Sequence, residues 1–94
     1  MKRIPTHPGA VLREDVFPAL NMPKTKIARA LGISRSMLYA ILAEDVPITS
    51  NIALRLGKFL GNGPELWMDM QVAHDLAVTA RAMKRELDGV RKVA

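Results

Sequence analysis

The sequence lacks cysteine altogether, and aromatic residues are scarce: one Trp, one Tyr and two Phe in 94 residues. Without cysteine there is no disulfide framework and no thiolate zinc site, which fits a reducing compartment. No apolar run approaches the roughly 18 residues of a membrane span. Met1-Lys2-Arg3 supplies positive charge, but Pro5, His7 and Pro8 stand where the apolar part of a signal segment would begin, so secretion is not indicated. Histidine is limited to His7 and His74, with no spacing that suits a metal site, and no nucleophile is paired with a base. An enzyme is therefore the weakest class, and no cofactor or metal is expected. A further absence is local: residues 16–43 contain no acidic side chain.

What is present is a high apolar fraction, 49%, in a short chain of net charge +5. This composition excludes disorder and predicts one small domain too small for a deep active site. The charge is unevenly spread. The acid-free stretch carries Lys24, Lys26, Arg29 and Arg35, residues 44–80 are net acidic, and Arg81, Lys84, Arg85, Arg91 and Lys92 make the end basic again. A local excess of this kind is either a solvated face or a surface for phosphates.

Gly and Pro punctuate the chain at intervals, and the apolar residues between them recur at helical spacing, which predicts an all-α fold. Five helices are expected. The first, about 8–17, opens at Pro8 and stops at Pro18; the second, about 23–31, opens at Pro23 and closes at Gly32. Ser34 caps a third, 34–43, with Leu38, Ile41 and Leu42 inward. A fourth spans 49–60, and a long fifth spans 64–87 with a stripe of Leu66, Met70, Ala73, Ala77, Ala80, Met83 and Leu87.

The second and third helices carry the sharpest pattern. Ala28 is small where two helices cross, Gly32 permits a tight turn, and the third helix starts with exposed polar and basic residues, as in a helix-turn-helix. Its first turns present Ser34, Arg35, Ser36 and Tyr39 toward bases or phosphates; Lys24, Thr25 and Lys26 sit at the positive end of the second helix, where phosphates bind. The competing reading is an ordinary bundle with a solvated basic face.

Three stretches also carry a family resemblance: His7-Pro8-Gly9 with Leu12-Arg13-Glu14, the run Leu31-Gly32-Ile33-Ser34-Arg35, and Pro64-Glu65-Leu66-Trp67 through Met70-Gln71 to Asp75-Leu76. Together they cover nearly all of residues 7–81. The chain resembles the HigA (VapI-like) antitoxins of the lambda-repressor-like helix-turn-helix class. The resemblance implies a five-helix, homodimeric, cytoplasmic bacterial repressor that binds double-stranded operator DNA and neutralises a HigB-like, RelE-type mRNA-cleaving toxin. Departures are Lys24 in place of a frequent Gln, Tyr39-Ala40 in place of Ser-Arg, His74 in place of Tyr, and Ala43-Glu44-Asp45 in place of an Asn-Gly-basic loop. The two carboxylates repel phosphate unless they turn away. Trp67 anchors the last helix in the core or a dimer seam; with Met68 and Met70 it forms the candidate dimer interface. The alternatives are a stand-alone regulator without a toxin, or a protein-interaction module that has lost DNA binding.

Overall fold

A computed structural model describes residues 3–93; Met1, Lys2 and Ala94 lie outside the described residues. The first helix begins because His7 stays extended and its Nδ1 accepts a hydrogen bond from the Gly9 N–H at 2.9 Å, while Pro8 fills the first turn, where no donor is needed. Helix α1 (Pro8–Val11) runs into a π-helical turn (Leu12–Val16) and then α2 (Phe17–Leu20). The expected stop at Pro18 is thus corrected. The Phe17 N–H reaches back five residues to the Leu12 carbonyl, and this widened turn accommodates a proline ring that would clash in a regular ladder. Asn21, with a left-handed φ of 54°, ends the segment instead.

Helix α3 (Lys24–Leu31) starts one residue after Pro23, whose carbonyl accepts the Lys26 and Ile27 N–H groups. Gly32, at φ 74°, closes it, and the Ile33 N–H bonds the Ala28 carbonyl at 3.0 Å. Helix α4 (Arg35–Leu42) is capped by the Ser34 hydroxyl, which accepts from the Met37 N–H at 3.0 Å. It ends at Ala43 and Glu44, the latter left-handed at φ 64°. Helix α5 (Ser50–Leu60) is capped by Thr49 and closed by Gly61.

Helix α6 (Pro64–Ala82) and a short α7 (Lys84–Asp88) replace the single helix expected over 64–87. The break falls at Met83, with φ −100° and ψ 16°. No Gly or Pro lies there. The distinguishing feature is that every described residue from Val78 onward is exposed, so no packing holds the rod straight.

The core gathers Leu12 and Phe17, Ile27, Ala28 and Leu31, Leu38, Ile41 and Leu42, then Ile48, Ile52, Ala53, Leu56 and Trp67. The inward face of α6 is rotated from the one expected. Leu66, Ala73 and Ala80 are exposed, while Trp67 and Gln71 point in. Gln71 accepts the Ile48 N–H at 2.7 Å and donates to Asp75 at 2.9 Å, tying the loop before α5 to α6. Trp67 is only 1% exposed in the single chain and donates from Nε1 to Asn62 Oδ1 at 3.2 Å. It therefore has no surface left for a second subunit, which corrects its place in the dimer interface; Met68 and Met70 are half-buried against the same core. No helix among the described residues is long and apolar enough to cross a membrane.

Candidate nucleic-acid interface

The cationic residues of the acid-free stretch sit on α3, on α4 and at their starts. Lys24, Thr25 and Lys26 form the first turn of α3, and Arg35 and Ser36 the first turn of α4; all are exposed, as is Tyr39 one turn on. Among the described residues, Lys24, Lys26, Arg29 and Arg35 make no ion pair or side-chain hydrogen bond. An open cleft of about 440 Å³ lies between the two helices, lined by Thr25, Ala28, Arg29, Ile33 and Arg35.

The structure thus brings Thr25 and Arg35 together and adds Arg29, which the sequence reading counted only as charge. Lys24 opens onto a neighbouring recess beside Arg13, Phe17 and Met22. Lys26, Ser36 and Tyr39 are exposed without lining either one. Ser34 spends one oxygen lone pair on the Met37 N–H, which leaves its hydroxyl proton and a second lone pair for a ligand.

Two side chains to which sequence reasoning gave no role in the site hold this unit from outside. Arg55 of α5 donates from Nη1 to the carbonyls of Leu31 (2.9 Å) and Gly32 (3.3 Å), and its Nε donates to Asn51 Oδ1 at 2.7 Å. Arg13 donates from Nη1 to the Leu42 carbonyl at 2.7 Å and to Glu44 Oε2 at 3.1 Å. The Glu44 carboxylate therefore turns toward a cation of its own chain. The only hint of Arg55 in the sequence is its i, i+4 spacing from Asn51 on the outer side of an amphipathic helix.

His7 and His74 meet edge to face with ring centroids 5.0 Å apart. The Pro5 carbonyl requires a proton on His74 Nδ1, at 2.8 Å, whereas the Gly9 N–H requires His7 Nδ1 to be bare. Burial, and then the neighbouring His74, push the His7 pKa below its ordinary value; Glu44 and Asp75 partly oppose this. Among the described residues no group of three or more His, Asp or Glu side chains is placed to hold a metal ion.

Two short helices joined through a left-handed glycine, the second capped by serine and presenting an exposed arginine, define a helix-turn-helix protein. Virulence-associated protein I of Dichelobacter nodosus is 37% identical over 70 residues, which is 74% of this chain and 65% of that one. The solved structure of an addiction module antidote protein of a HigA family from Coxiella burnetii is 32% identical, with a TM-score of 0.87 over 96% of this chain and 99% of that one. The chain belongs to the HigA antitoxin family. The antitoxin GraA, solved in complex with its operator, is 31% identical with a TM-score of 0.89, covering 100% of this chain and 98% of that one. No protein-family model matches the chain.

Proposed function

We propose that this protein is a sequence-specific DNA-binding antitoxin that represses its own operon as a homodimer and neutralises a RelE-like, mRNA-cleaving toxin. The observation that carries the DNA reading is the exposed start of α4. Arg35, with no partner among the described residues, stands at a cleft shared with Thr25 and Arg29, on a stretch that holds no acid. In this reading Arg35 reads a base edge, guanine O6 and N7 being the best match for its fork, while Lys24, Thr25 and Lys26 bind phosphates and set register. A two-fold dimer sets two such helices in successive major grooves about 34 Å apart. Its contact surface lies on the outer part of the last helices, where Leu76, Met83 and Leu87 are exposed.

The rival reading, a module that has lost DNA binding, rests on Glu44, Asp45 and Ala40. The ion pair of Glu44 with Arg13 answers the first of these three. An electrophoretic shift with the protein's own promoter fragment tests the proposal: retardation at low salt supports it, and none at any protein concentration overturns it. Co-purification with the product of the adjacent gene tests the toxin half.

A further inference from the structure

Each helix of the helix-turn-helix ends on a guanidinium supplied from outside the unit. Arg55 binds the final carbonyl of α3 and that of the turn glycine, Leu31 and Gly32; Arg13 binds the final carbonyl of α4, Leu42. These are carbonyls that a helix end leaves without an intrahelical partner, at the negative end of its dipole, where a cation is favoured. Both arginines are themselves held, Arg55 by Asn51 and Arg13 by Glu44. Gly32 contributes twice. It takes the left-handed turn at φ 74°, and its missing side chain makes room for the clamp, since a Cβ there would lie 2.6 Å from Arg55 Nη1.

Apolar burial alone does not fix how α4 is presented. The helix has eight residues and buries only Leu38, Ile41 and Leu42. Hydrophobic contact is non-directional, so such a short cylinder can rock on its seat. Charge-assisted hydrogen bonds are directional and short, and a shift of about 1 Å at a base edge is enough to spoil a hydrogen bond.

We propose that Arg13 and Arg55 are positioning residues that set the pose of α4 against DNA without touching it, which rests on the DNA-binding reading above. The clamp converts burial, which supplies affinity for the fold, into a defined angle, which supplies discrimination between base sequences.

The test uses the full chain with Arg55→Met and Arg13→Met, which keep an apolar stem and remove the fork. Each is titrated against the promoter fragment and against random-sequence DNA of equal length, at several salt concentrations. Promoter affinity should fall about tenfold in each variant, comparable to one mismatched base pair, with random-sequence affinity changed less than about twofold. The salt slope should stay unchanged. An equal loss on both DNAs with a slope reduced by about 1 would mark a direct phosphate contact and overturn the proposal; unchanged discrimination would overturn it too. Asn51→Ala removes only the group that orients Arg55 and should shift discrimination in the same direction by less; it carries the test if Arg55→Met fails to fold.

If the wild-type chain does not distinguish the promoter, the DNA reading has failed, and the clamp is judged by amide exchange. Arg55→Met should then speed exchange at Gly32 and Ile33 while leaving Leu56 protected, and equal protection at all three would sink it.

Discussion

The molecule divides near His74 into a part fastened at several of its junctions and a part that, from Val78 onward, is exposed at every described residue. Before that point five side chains fasten junctions: His7 on Gly9, Ser34 on Met37, Arg55 on the α3 end, Arg13 on the α4 end, Gln71 on Ile48. Beyond it, the end of α6 runs clear of the core and α7 buries no residue; Leu76 is 66% exposed and Leu87 45%. The outline, 52 Å long and 21 Å in both other directions, reflects that projection. The difference teaches where rigidity is needed. Under the proposed function, a helix that reads bases must hold a fixed pose, whereas a helix that takes a second subunit keeps apolar surface uncovered until it meets one.

The largest expected effect comes from the tied part. Trp67→Ala should cost about 3–5 kcal/mol of stability by emptying a core site, most of the margin of a domain this small, and chemical denaturation reads it directly. A loss below about 1 kcal/mol would mean that Trp67 is not the anchor its burial implies.

Gly9→Ala should come next, at about 1–3 kcal/mol. A Cβ there meets the Ile41 carbonyl of α4, so α1 has to move off α4. Calorimetry gives the cost, and promoter titration should show a loss in parallel.

A graded effect follows from His7, whose pKa is depressed in the fold. The unfolded chain then binds more protons than the folded one below the ordinary imidazole value of about 6.5. Stability is fully present above that value, falls as pH drops through the window between the ordinary and the folded pKa, and levels off beneath it. His7→Asn, whose Oδ1 can still accept the Gly9 N–H, should flatten this limb of a denaturation series from pH 7.5 to 5.

The smallest effect on folding should be in the untied part. Leu76→Ser should change monomer stability by no more than about 0.5 kcal/mol. Sedimentation should nevertheless show weakened self-association, and an unaltered dimer would move the interface elsewhere.

Legibility in the sequence follows the same division. The helix-turn-helix is readable because its chemistry is local: a small residue at a crossing, a glycine that takes positive φ, and a serine whose hydroxyl reaches three residues ahead. Lys24, Thr25, Lys26 and Arg35 could be named from spacing and charge for the same reason. The π turn that carries the first helix past Pro18, the inward face of α6 and the break at Met83 depend on what lies alongside, which periodicity does not encode. The clamping role of Arg13 and Arg55 was hidden because the groups they clamp are backbone carbonyls 29 and 23–24 residues away, and a carbonyl has no letter in a sequence.

The central claim is that the start of α4 reads bases while the start of α3 holds phosphates. It is tested most directly by titrating Arg35→Ala and Lys24→Ala against promoter and random-sequence DNA across a salt series. Arg35→Ala should cost about 1–3 kcal/mol on the promoter alone and relax the preference at one base step, while Lys24→Ala should weaken both DNAs alike and lower the salt slope by about 1. Promoter binding unchanged by Arg35→Ala at fixed salt would contradict the account.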